Sequence, residues 1–264
     1  LHLLELFTSR VAKVGMTDGI RQVLQEESDA LRAYYEQAGI LIARPAGGTS
    51  CRLAISAKGG TNAENHNHND VGSYAVALGS ETMVGDQGGP NSYPGDYFNG
   101  DAPQKYKIKG SFGHPVPVVD GRTQSSGGKA KGVVLQKEFT NEKDVFSINY
   151  TSAYSTPNLD KLIRTFVYDR QGKGSFTVGD EFTAKTPIRF ETAITTRADW
   201  KILDDTHLLL ATDSEQMIVA IEASGKVAFT SETIEVNSPA YTRIGIALKN
   251  QSKEGYIRLK MYTK

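Results

Sequence analysis

Imidazole and carboxylate side chains move protons and bind divalent metals near neutral pH, and in this sequence they gather in one region. Three of the five histidines, His66, His68 and His114, fall in a single stretch of the 264-residue chain. The first two stand in Asn65-His66-Asn67-His68-Asn69-Asp70. Extended backbone would place both on one face, because side chains alternate along a strand. Asp86 ends the run Thr82-Met83-Val84-Gly85-Asp86 and precedes Gln87-Gly88-Gly89, so a strand stops there and exposes a carboxylate. His114 sits between Gly113 and Pro115. A zinc site of histidine and carboxylate needs three or four donors about 2.0–2.2 Å from the ion, usually from separate segments. His68, Asp86 and His114 could supply them; the plainer reading is solvated or hydrogen-bonded polar residues. Spacing sets a condition. A hairpin turning near Gly79-Ser80 pairs Asp86 with about Ser73, leaving His68 about 16 Å away at about 3.3 Å per residue. The three meet only if the chain bends around Asn69-Asp70, or if these strands are not hairpin partners.

The elements that must position these residues follow from periodicity. Leu3, Leu4, Phe7, Val11 and Val14 recur at helical spacing before Gly15, and a second helix is expected from Thr17 or Asp18 through Ile20, Val23, Leu24, Leu31 and Tyr34 or Tyr35 to Gly39. Beyond it the texture is β, with strands expected over 52–57, 71–78, 82–86, 115–120, 132–138, 144–151 and 162–168. More are expected over 175–178, 188–195, 201–203, 207–211, 217–223, 243–248 and 256–261. The fold class is therefore mainly β, an antiparallel multi-sheet β-sandwich preceded by two short α-helices. The domain division is a helical segment over 1–39 and the β-sandwich over 40–264. From Gly88 to His114, Gly, Pro, Asn, Asp and Tyr dominate and no long strand fits, which is where loops that carry function are found.

Three motifs in order carry a resemblance: Asn65 to Tyr74 (NHNHNDVGSY), Met83 to Gly89 (MVGDQGG) and Gly113 to Gly121 (GHPVPVVDG), with Gln124 after them. Together they resemble the β-rich domain of the heparinase II/III-like polysaccharide lyases. The resemblance implies an α/α toroid of helical hairpins, then a multi-sheet antiparallel β domain, with the active site in the cleft between. It also implies a structural zinc ion in the β domain with His68, Asp86 and His114 as ligands, His66 facing the substrate, and Tyr97 as an active-site tyrosine with Tyr93 and Tyr106 close by. The tyrosine, histidine and amide groups that the toroid contributes would lie upstream, where this sequence has only two helices. The chain is then the C-terminal part of a longer protein with an upstream helical domain as its partner, or a relative that has lost catalysis. A bacterial protein, periplasmic or secreted, is the expected source.

Such lyases remove the C5 proton of a uronic acid and expel the 4-linked oxygen, so they must neutralise a carboxylate, place a base and protonate a leaving group. Between Asp101 and Lys131 the bases Lys105, Lys107, Lys109, Arg122, Lys129 and Lys131 outnumber the acids Asp101 and Asp120. A strand through Lys105-Tyr106-Lys107-Ile108-Lys109 would align three ammonium groups on one face. Lys105, Lys107 and Arg122 are thus the candidate substrate-binding residues for an acidic polysaccharide; an edge strand protected by lysines is the alternative. A rival reading of the whole is a non-catalytic carbohydrate-binding or structural β module with a structural metal. Thirty basic side chains against thirty acidic, with pI near 7.1, argue against a bulk polyanion or nucleic-acid binder. No apolar run is long enough for a membrane-spanning helix. The lone Cys51 excludes a disulfide framework within the chain. No GxGxxG, P-loop or GxSxG pattern is present.

Overall fold

The structure, a computed structural model, describes residues 30–64, 66–86, 89–90, 92–235 and 240–264. Alternating apolar residues between turn signals fold here as strands. In chain order these are β1 (Arg32–Tyr35), β2 (Ile40–Ala43), β3 (Leu53–Lys58), β4 (Gly60–Asn62), β5 (Tyr74–Leu78) and β6 (Glu81–Val84). A one-turn helix, α1 (Ala102–Lys105), and a 3-10 turn at Ser111–Gly113 follow, then β7 (Val118–Val119), β8 (Gly127–Phe139), β9 (Lys143–Asn149) and β10 (Leu159–Asp169). The remainder comprises β11 (Ser175–Ile188), β12 (Phe190–Thr196), β13 (Asp199–Asp204), β14 (His207–Ala211), β15 (Gln216–Ala223), β16 (Val227–Ile234), β17 (Tyr241–Leu248) and β18 (Ser252–Thr263). The molecule is mainly β, with several antiparallel sheets, as the periodicity implies.

Three sheets result, with strand orders β1-β2-β3-β5-β6, β13-β14-β15-β18-β11-β10-β9-β8-β4 and β16-β17-β12-β7. The nine-stranded sheet turns Leu162, Arg164, Phe166 and Tyr168 of β10 and Phe176, Val178, Asp180 and Phe182 of β11 inward, at every second position. Near-parallel rings of Phe146, Phe166 and Phe176 stack along it at centroid spacings of 5.9 and 6.2 Å. Tyr74 of the five-stranded sheet meets Phe176 at 5.9 Å, and Phe190 of the four-stranded sheet stacks on Phe182 at 4.6 Å. One core thus serves all three sheets. At its seam the Thr196 hydroxyl donates to Met83 O at 2.7 Å and Gly85 N–H donates to Thr195 O at 3.0 Å, so β12 holds the end of β6 just before Asp86.

Two differences from the sequence reading have clear causes. Arg32–Tyr35, expected as the end of the second helix, is β1, paired residue for residue with β2 from Arg32↔Ala43 to Tyr35↔Ile40. Burial decides this. Tyr34 packs on Phe139 and Phe146, and Arg32 Nε bonds Asp144 Oδ1 at 2.8 Å, contacts a helix would not align. Residues 36–39, also expected in that helix, form the turn between β1 and β2, with Gly39 N–H donating to Glu36 O at 3.3 Å, and the part over residues 1–29 lies outside the described residues. The second difference is the length of β11. Gly179-Asp180-Glu181 has turn composition, yet the strand runs through it because β10 and β18 flank it and Asp180 pairs directly across from Arg164.

Candidate active site

Residues 66–73 are not extended. His66 has φ +59°, the left-handed region that side chains other than glycine enter at a cost of about 1 kcal/mol or more. The expectation that an extended backbone puts His66 and His68 on one face therefore fails. Four residues later the chain reverses through Asp70-Val71-Gly72-Ser73, closed by Ser73 N–H to Asp70 O at 2.9 Å with Gly72 at φ +87°. A type II turn requires that positive φ at its third position, hence glycine. The β5–β6 hairpin forms with Val76 opposite Val84, and Gly72 N–H donates to Lys58 O and Lys58 N–H to Ser73 O, each at 2.9 Å, so the bend is tied to the end of β3.

Buried amides hold the bend. Gln124 Nε2 donates to Val71 O at 2.7 Å, while its Oε1 accepts from Val71 N–H at 3.1 Å and from Asn62 Nδ2 at 3.0 Å. Asn62 Oδ1 accepts from Asp70 N–H at 3.1 Å, and Asn69 Nδ2 donates to Gln124 O and Ser126 Oγ at 3.2 and 3.0 Å. Gln124 appeared in the sequence as part of a motif without a role; here it pins the bend as an amide matching a peptide edge.

At the centre of these segments the ligand atoms of Asp70, Asp86 and His114 lie within 4.8 Å of one another. His114 is 1% exposed; its Nδ1 lies 3.0 Å from Asp86 Oδ1, and its Nε2 is buried without a partner among the described residues. A buried imidazole with one orphan nitrogen beside two carboxylates fits a divalent cation, and the hard oxygen and imidazole donor set suits zinc. His68 stands beside this cluster, its ring centroid 5.2 Å from that of His114 and its Nε2 3.1 Å from Tyr97 Oη. Of the three ligands expected from sequence, Asp86 and His114 are in the tight group and His68 is next to it. Asp70, not singled out from the sequence, occupies the third place and pairs with Lys58 Nζ.

Asp86 and His114 support each other's charged forms, while His114 opposes the charged form of His68. Burial alone would raise the Asp86 carboxyl, but the charge and hydrogen bond of His114, then His68, outweigh it and hold Asp86 well below the usual carboxylate range. Burial alone would lower His114; Asp86 outweighs that and raises it. His68 is pushed down to about 4, first by burial and then by the charge of His114, so it is a neutral ligand or acceptor at pH 7. Tyr97, 1% exposed under the rings of Tyr93, Phe98 and Tyr106, is pushed up chiefly by burial and stays protonated.

Next to the cluster opens a polar cleft of about 410 Å³, lined by Asn62, His66, Asn67, Asn69, Phe98, Asn99, Lys109 and Ser126 among others. His66 is exposed there, with its ring 4.9 Å from Phe98. The expected lysine face does not form. Lys105 ends α1 and pairs with Asp96, Lys107 pairs with Glu232 across the fold, and Arg122 is exposed after the Asp120-Gly121 turn. The cause is local. Pro103 starts a helical turn, and Gly110 N–H and Lys109 N–H both bond back to Tyr106 O, so 105–109 coils instead of extending. Lys109 alone turns inward. It is 7% exposed, its Nζ bonds Tyr97 O and lies 4.9 and 5.0 Å from the Tyr97 and Phe98 ring centroids, and burial lowers its pKa.

Solved structures resemble this architecture. A crystal structure of heparinase III superposes with TM-score 0.69 at 18% identity, covering 88% of this chain and 36% of that one. The fold is heparinase III-like. A heparan sulfate lyase HepC mutant from Pedobacter heparinus gives TM-score 0.72 at 14% identity, covering 92% of this chain and 39% of that one. The chain thus spans a little over a third of the length of these heparinases. No protein-family model and no curated protein matches the sequence.

Proposed function

We propose that this chain is the β module of a polysaccharide lyase that cleaves uronic-acid glycans, heparan-like or alginate-like, by β-elimination, built around a zinc centre. The observation that carries the reading is the convergence of Asp70, Asp86 and His114 beside a polar cleft that exposes His66, on a heparinase III-like fold. Asp86, His114 and His68 would hold the ion, with Asp70 as a further carboxylate donor. Zinc in such a closed set of protein ligands fixes the loops that bear the ligands.

The protein's own groups then divide the work. Lys109, the basic residue lining the cleft besides His66, faces the uronate carboxylate and offsets the charge that develops at C5. His66 takes the C5 proton; the electron pair left behind forms the C4–C5 double bond and expels the 4-linked oxygen. That oxygen needs a proton, and the donor is assigned to an upstream helical domain. Tyr97 keeps its proton and points to His68, so its role is to hold that ring.

The complete gene product, incubated with heparan sulfate and with alginate, should release 4,5-unsaturated uronate detectable by ultraviolet absorbance, and His66→Ala should abolish it. Product formation that survives His66→Ala contradicts the assignment of the base. Tight glycan binding without product by the complete protein would point to the carbohydrate-binding module instead.

A further inference from the structure

The side chain that reaches both the Asp70 and the His114 loop is Arg164, fully buried in the middle of β10. All five of its N–H groups are used. Nε and Nη2 form a fork with Asp180 Oδ1 and Oδ2 at 2.7 and 2.6 Å, and Nη2 also reaches Thr192 Oγ1 at 3.0 Å. Nη1 donates to two backbone carbonyls, Gly72 O and Pro115 O, each at 2.7 Å. Gly72 belongs to the turn that begins at Asp70, and Pro115 follows His114. One nitrogen therefore ties together the two segments that bring Asp70 and His114 to the cluster, and the carboxylate fork anchors that nitrogen to Asp180, buried on the neighbouring strand β11.

We propose that Arg164 is a positioning residue for the metal centre, a guanidinium bracket that sets the separation of the Asp70 and His114 loops. The inference rests on the zinc reading above. It follows from geometry: the planar fork fixes Nη1 in direction, whereas the compact ammonium of lysine cannot hold a bidentate carboxylate and two carbonyls at once. A simpler role, stabilising the core as a buried ion pair, predicts something different. Replacing such a pair by apolar residues is often neutral or stabilising; here Asp180 also accepts from Tyr150 Oη and Thr192 Oγ1 at 2.6 and 2.7 Å, so the replacement costs stability at those groups, but a purely core role predicts no selective loss at the two loops.

The test compares wild type with Arg164→Met/Asp180→Leu, and with Arg170→Met as a control. Arg170 is also buried and ion-paired, but its bonds go to Asp144, Arg44 O and Leu31 O, none of them in the site. Zinc affinity is read by competition with a chromogenic chelator, and amide hydrogen exchange is read at Asn69–Ser73 and His114–Val116 in metal-free protein. The Arg164 double variant should bind zinc about 10- to 100-fold more weakly and exchange faster at both loops, while Arg170→Met leaves both readings within about twofold of wild type whatever its melting temperature. Unchanged affinity and exchange in the double variant, or equal losses in the Arg170 control, overturn the proposal. If the double variant does not fold, Arg164→Lys gives the same comparison. Wild type without zinc affinity would overturn the metal reading, and the exchange measurement then still decides whether Arg164 orders the two loops.

Discussion

His66 and His114 show how differently two histidines of one site are held. His114 is buried, charge-coupled to Asp86 and left with an orphan nitrogen; His66 is exposed at the cleft in a left-handed backbone conformation. Strain at an exposed, chemically able residue is the pattern expected where function outweighs local stability. His66→Gly should therefore leave the melting temperature unchanged or raise it slightly, and His66→Ala should keep full zinc content. In contrast, His114→Ala should lose most bound metal and melt lower. Inductively coupled plasma mass spectrometry with calorimetry on each variant checks the pair. Equal metal loss in the His66 and His114 variants would contradict the division. The sequence made His68, Asp86 and His114 visible as motif residues, but it hid Asp70, because only the bend at Gly72 turns its carboxylate toward Asp86. Lys109 was visible merely as one of three lysines; the coil after Pro103 separates it from Lys105 and Lys107 and puts it under Tyr97.

The bend itself is an element with its own energetics. Gly72 has φ +87°, and a Cβ there would lie 3.3 Å from Tyr150 Cε2, so Gly72→Ala should cost about 1–3 kcal/mol, read by urea denaturation. Gln124→Ala removes three bonds around Val71 and Asn62 and leaves buried groups unpaired, at a cost of about 3 kcal/mol with weakened zinc binding. A Gln124→Ala protein as stable as wild type would show that the bend is held by other means. Strand positions were largely legible, because apolar alternation survives in most of them. The exceptions are instructive. Val227–Ile234 is an edge strand with mostly part-buried or exposed residues, so its period-two signal is faint; Arg32–Tyr35 and Ile40–Ala43 border a run whose helical spacing masks them.

At the scale of the whole molecule, one core joins three sheets, and the site lies where their loops converge. Phe182 and Phe190 stack at 4.6 Å across the join between the nine- and four-stranded sheets. Phe190→Ala should cost about 3–5 kcal/mol and destabilise the fold as a unit, seen as one cooperative transition shifted to lower denaturant. Two resolved transitions would mean the four-stranded sheet folds on its own. The sequence motifs located the fold type, and the heparinase III-like architecture agrees with them at 18% identity or less in the two structures compared. The way the sheets meet was not legible, since it depends on pairs such as Tyr74 with Ala193 and Thr196 with Met83 that are far apart in sequence. The chemistry of the site depends on whether Asp70, Asp86, His114 and His68 form a metal centre. The direct measurement is zinc content per chain by mass spectrometry, with and without prior chelation, together with the melting temperature. About one zinc per chain, removable with a fall in melting temperature and restored by added zinc, is the predicted result. Carefully purified protein that neither contains nor takes up zinc, and melts at the same temperature after chelation, would contradict it.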